Sequence, residues 1–148
     1  MKKITIYVKA LLLCFVVTSS TMALAIQKTF IFSQFTEDSY KECEKMSIEQ
    51  SAKVIRITVD LSAIKDQSTG LPSIVSTSGL TLSSTPSFFF MGIKDYYAYM
   101  SSSTTGVHKN KSYYGINFSL MGKSKYADYD GALRLNDAKG NACMILLK

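Results

Sequence analysis

The residues able to do chemistry in this chain are few: one histidine, His108, three cysteines, eleven acids and a run of tyrosines. A single histidine cannot make a multi-histidine metal site. It could act as a general base beside a serine and an acid, but no G-x-S-x-G elbow or other local signature surrounds any serine. His108 is therefore expected in an exposed loop within the polar segment Ser101 to Ser112. Its place there makes it a candidate contact residue and not a catalytic one.

Two motif-like runs fail on their spacing. Gly122-Lys123-Ser124 resembles the end of a phosphate-binding loop, yet Asn117 stands where the motif needs its first glycine, so we read a strand-end turn. Asp128-Tyr129-Asp130-Gly131 can be aligned with a calcium loop, with Asp137 at the twelfth place. Tyr126 then occupies the first ligand place and Arg134 the ninth, so an anchoring carboxylate is missing and a cation is added. An acidic turn is expected, its Asp side chains bonding their own backbone and its Gly supplying positive φ. None of the acids stands alone in an apolar setting of the kind that tunes a glycosidase carboxyl pair. No catalytic residue, metal or cofactor is assigned.

What remains is tyrosine. Tyr96, Tyr97, Tyr99, Tyr113, Tyr114, Tyr126 and Tyr129 are interleaved with Ser, Thr, Asn and Gly. That mixture supplies rigid amphipathic area and adaptable hydrogen bonds at recognition surfaces. The expected binding set is Tyr96, Tyr97, Tyr99, His108, Tyr113 and Tyr114. The bland counterpart is a set of half-buried sheet tyrosines with their hydroxyls in water.

The cysteines speak to compartment and architecture. Cys14 lies in an N-terminal stretch that reads as an export signal: Lys2, Lys3 and Lys9 form a basic region, Ala10 to Val17 an apolar one, and Ala23-Leu24-Ala25 a cleavage site. Eight apolar residues fall well short of the roughly 18 to 20 needed to cross a bilayer. Leu13 before Cys14 is too large for a lipidation site. The domains expected are a cleaved leader, residues 1–25, and one exported domain of 123 residues, 26–148, periplasmic or secreted. Cys43 and Cys143 should then pair as its sole disulfide, since no C-x-x-C accompanies them.

Discounting the three leader lysines leaves 14 basic residues against 11 acids, a net charge of +3. So mild a balance argues for no nucleic-acid surface.

Several elements must position these groups. Lys28 to Phe35 reads as a strand. Thr36 then caps a helix that carries Cys43 inward, with Phe35 and Tyr40 at the spacing of a hydrophobic staple. Alternating Ile55, Ile57, Val59 and Leu61 mark a one-sided strand. Asp66 to Ser87, rich in Ser, Thr and Gly, reads as a connection, with at most a short strand around Leu80 to Leu82. Phe88 to Met91 suits a central strand covered on both faces and turning into Tyr96 to Met100. Tyr114, Ile116, Phe118 and Leu120 share one face of the next strand. Ala132 to Leu135 and Ala142 to Leu147 flank a hairpin loop.

The sum is an α+β fold: a mainly antiparallel sheet of about six or seven strands with one N-terminal helix packed on it. The expected function is that of a non-enzymatic binding protein of the bacterial envelope. Its partner would be a protein, as for an inhibitor, an immunity protein or an accessory subunit of an envelope complex. The alternatives are a small hydrolase of cell-wall material using His108 or an Asp pair, and a pilus or surface-fibre subunit assembled by strand addition.

Overall fold

A computed structural model describes residues 26–48, 55–64, 70–92, 97–122 and 129–148. The expected leader, residues 1–25, therefore lies outside the described residues, as do Tyr96, Lys123, Ser124, Tyr126 and Asp128. Among the described residues there are ten strands: β1 Gln27–Phe35, β2 Arg56–Asp60, β3 Ser73–Ser78, β4 Thr81–Leu82, β5 Phe88–Phe90, β6 Tyr97–Ser101, β7 Thr104–His108, β8 Lys111–Gly122, β9 Tyr129–Asn136 and β10 Ala142–Leu147. A 3-10 turn, Glu37–Ser39, leads into the one helix, α1 Tyr40–Lys45.

The strands make a single antiparallel sheet, nearly closed into a barrel, in the order β3-β2-β1-β10-β9-β8-β6-β5. β8 is the branch point. Its second half pairs with β6, and its first half with β7, which pairs in turn with β4. The α+β expectation is thus corrected: this is a β fold with one six-residue helix. Two polar segments made the difference. Residues 73–82, read as mainly connection, form β3 and β4, and the polar loop at 101–112 contains β7. Ser and Thr adopt extended backbone readily when a neighbouring strand supplies the hydrogen bonds. The inward side chains there, Leu80, Thr104 and His108, are too sparse to show an apolar alternation.

The helix is short for local reasons. Thr36 has extended backbone but makes no cap bond to a helix amide; its hydroxyl meets that of Ser39 instead. Ser47, at a φ of 56°, takes the left-handed conformation and ends the element. Lys45 bonds back to Glu42 at 2.6 Å, and the staple rings Phe35 and Tyr40 lie 6.0 Å apart. An isolated helix of six residues would not hold. The Cys43–Cys143 disulfide, with Cα atoms 4.7 Å apart, fastens α1 to β10, and just before the helix the Ser39 hydroxyl at 3.0 Å and the Thr36 amide at 3.2 Å both donate to the Met144 carbonyl.

The core fills the barrel. Phe30 and Phe88 each meet Phe118 in an edge arrangement, at 5.6 and 6.0 Å, and Ile57, Leu133, Leu135 and Ile145 belong to the same buried cluster. Between Ile57, Leu82, Ile116, Phe118 and Leu133 only about 10 Å³ is left open, at the lower limit for one water.

Bulges decide which residues point inward. In β1 the register slips between Phe32 and Gln34, so Phe30, Phe32 and Phe35 all reach the core although strict alternation would turn Phe35 outward. A second slip, between Thr104 and Gly106 on β7, faces Tyr113 and Ile116 on β8. There Tyr113 turns inward and Tyr114 outward, while Ile116, Phe118 and Leu120 keep the inner face.

Gly106 lies at the branch, where an added Cβ would press on the Thr81 carbonyl and come within 2.7 Å of Ile116 Cδ1. Gly106→Ala should cost about 1 to 3 kcal/mol by forcing β4 off β7. A lowered urea midpoint at unchanged slope would show it, and an unchanged midpoint would contradict this packing.

Candidate functional site

Tyr97, Tyr99, Tyr113 and Tyr114, the candidate tyrosines among the described residues, each sit on a strand, so alternation fixes the direction of the side chain. Of β6, Tyr97, Tyr99 and Ser101 face the barrel interior, with Tyr99 fully buried and Tyr97 half-buried against the core. Tyr113 is buried on β8, whereas its neighbour Tyr114 is 63% exposed. Tyr99 packs on Phe90 at 5.5 Å and on Tyr129 at 6.2 Å. Burial, followed by the neighbouring Tyr99, pushes the Tyr129 phenol well above its ordinary range. Burial, followed by the charge of Asp137, raises that of Tyr113. These rings are structural aromatics; the five expected contact residues that are described, Tyr97, Tyr99, His108, Tyr113 and Tyr114, do not share one exposed face.

His108 is likewise not in an exposed loop. It is 2% exposed, on the inner side of β7, and its Nδ1–H donates to the Gly79 carbonyl at 2.5 Å. That carbonyl belongs to the turn between β3 and β4, where Gly79 adopts a φ of 73°. His108 therefore pins a turn to a strand. Its Nε2 is buried with no hydrogen-bond partner among the described residues.

Asp137 is occupied by its own hairpin. Its Oδ1 accepts the backbone amides of Lys139 at 2.8 Å and Asn141 at 2.9 Å, and its Oδ2 accepts the Asn141 side chain at 2.8 Å. The Asn141 side-chain bond first, with the turn amides, holds this carboxyl below its ordinary range. Asp130 is exposed on β9, and Gly131 is an interior strand residue packed near Phe30 and Phe118. The acidic turn expected at 128–131 is corrected: Asp128 lies outside the described residues, and Tyr129, Asp130 and Gly131 are ladder residues of β9; the turn in which an Asp bonds its own backbone is the Asp137 hairpin, whose left-handed glycine is Gly140, at a φ of 85°. Among the described residues no group of three His, Cys, Asp or Glu side chains is placed to hold a metal ion.

If the tyrosines of β6 point inward, the residues between them must point outward. β5 is not a covered central strand: it ends the sheet, with Phe88 buried and Phe89 47% exposed. Phe89 pairs with Met100, and Met121 with Ala98. Just past β5, the Met91 amide donates to the Ala98 carbonyl at 2.8 Å. The outer side of β5, β6 and β8 is thus a continuous apolar surface of Phe89, Met91, Ala98, Met100 and Met121, with Met91 43% and Met121 47% exposed.

Compared with protein-family models, curated proteins and solved structures, this chain matches none. The Phe89 and methionine face is therefore identified on its own geometry. The alternation that read Tyr97 and Tyr99 as recognition residues carried the signal for it: Ala98 and Met100 share their strand and take the opposite side.

Proposed function

We propose that this protein is an exported, non-enzymatic binding protein that docks a protein partner on the outer face of β5, β6 and β8. The observation carrying this reading is that face itself. Four large apolar side chains, three of them more than two-fifths exposed, lie at adjacent cross-strand positions. Single exposed apolar residues are ordinary, but contiguous ones mark interaction surfaces. Methionine adds torsional freedom, which lets such a surface adapt to its partner. Export rests on the leader and suits the disulfide, which persists outside the reducing cytoplasm. Among the described residues no helix is long and apolar enough to cross a membrane. The hydrolase reading gains no support from a histidine committed to the Gly79 carbonyl.

Affinity capture from the envelope of the exporting host is the test. Phe89→Glu and Met121→Glu should each weaken capture by about 2 kcal/mol or more if they lie near the centre of the contact. Thermal unfolding should barely move, because both side chains already face water. Capture that survives both substitutions, or is lost equally on Tyr114→Ser, would place the contact elsewhere.

A further inference from the structure

We infer that Met91, Met100 and Met121 form a binding site for a soft monovalent metal ion, Cu(I) or Ag(I). The inference is independent of the docking reading, because it needs only three thioether sulfurs and no partner.

The sheet register brings the three residues together. Met121 lies directly across from Ala98 on one side, and Met91 is bonded through its amide to the Ala98 carbonyl on the other. Met100 follows Ala98 by two positions on the same strand, hence on the same face. Two strand spacings put the Met91 and Met121 backbones about 10 Å apart. That gap can be spanned by two unbranched side chains with three torsions each, folding toward the alanine between them. Ala98 has no bulk to keep them apart, and it is only 5% exposed although it belongs to the outer face, so its flanks are occupied.

The donor set selects the metal. Thioethers are soft, neutral ligands that suit Cu(I) and bind Zn(II), Mg(II) or Ca(II) poorly. They do not need to lose a proton, so a site made of them should keep its affinity under acid conditions that protonate imidazole or thiolate ligands. The two cysteine sulfurs past the leader, Cys43 and Cys143, are consumed by their disulfide. One charge favours the cation: Asp130 lies on β9 directly across from Met121 and is exposed. The composition points the same way. Past the leader the chain has five methionines, Met46, Met91, Met100, Met121 and Met144, and three of them occupy the same-face positions around this one alanine.

The test is titration of the oxidised protein with Ag(I), and with Cu(I) under anaerobic ascorbate against a chromogenic Cu(I) chelator, followed by native mass spectrometry. One ion should bind per chain, shifting the 13C-methyl resonances of Met91, Met100 and Met121 but not those of Met46 or Met144. Zn(II) at the same concentrations should not bind. Loss of an outer-shell partner typically weakens a metal site 10- to 100-fold, so loss of a ligand should do at least as much. Met100→Leu and Met121→Leu should each weaken Ag(I) by about tenfold or more, and the triple Leu variant should abolish binding. Leucine preserves the apolar surface, so these variants should still dock a protein partner. Phe89→Glu should do the reverse, keeping the metal and losing the partner, so the two readings fail separately. Unchanged affinity in the triple variant, an equal loss on Met144→Leu, or no ion retained against the chelator would overturn the site.

Discussion

Replacing both cysteines, as Cys43→Ser with Cys143→Ser, should lower the unfolding free energy by as much as about 4 to 5 kcal/mol, the chain-entropy value for a loop of roughly 100 residues. The bridge spans 100 residues, so without it the unfolded chain recovers the freedom of that whole loop. A domain of this size is stable by only about 5 to 15 kcal/mol in total. The loss should also be uneven. The six-residue α1 cannot persist alone, and without the bridge it keeps chiefly the Ser39 to Met144 bond and the packing of its buried face. It should detach before the barrel opens. Urea unfolding followed by far-ultraviolet circular dichroism, with hydrogen exchange at α1, measures both effects. A double variant within about 1 kcal/mol of the parent would mean that packing alone seats the helix.

Tyr113 should divide two ways according to what replaces it. Tyr113→Ala removes a ring from the inner face of β8 and should cost about 3 to 5 kcal/mol, the range for deleting a large buried aromatic side chain. Tyr113→Phe keeps the ring and removes a buried hydroxyl that has no hydrogen-bond partner among the described residues. Since burying an unsatisfied hydroxyl costs about 1 to 3 kcal/mol, the phenylalanine variant should be as stable as the parent or more so. Tyr114→Ala, one residue along on the solvent side, should stay within about 0.5 kcal/mol. Chemical denaturation of the three variants decides the matter. If Tyr113→Ala folds with parental stability but loses its partner, the tyrosine is a contact residue and the outer face of β5, β6 and β8 is not where binding occurs.

The contrast between Tyr113 and Tyr114 shows where local reading stops. Alternation in 114–121 placed Ile116, Phe118 and Leu120 together correctly, and extended the same face to Tyr114. The bulge opposite Thr104 and Gly106 inverts the strand there. Gly115 lies inside the slip, and a glycine within a strand often marks a bulge, but it does not say which side chains the bulge turns inward. Likewise Phe88-Phe89-Phe90 is apolar throughout, as a doubly covered strand would be. Its place at the end of the sheet is decided by which strands reach β6 and β8, and that turns one phenylalanine outward.

The sequence by itself determined the strands with strong apolar alternation, the hairpin around Asp137 and the pairing of Cys43 with Cys143. Those depend on period, on turn residues and on having two cysteines beyond residue 25. Only the tertiary structure decided that the Ser/Thr-rich segments complete a barrel, that His108 is buried against the Gly79 carbonyl, and that the tyrosines of β6 face inward while its methionine faces out. The physical reason is the same in each case. A strand has two faces and two edges, and its own residues can show that the faces differ but not which one the remaining strands will cover.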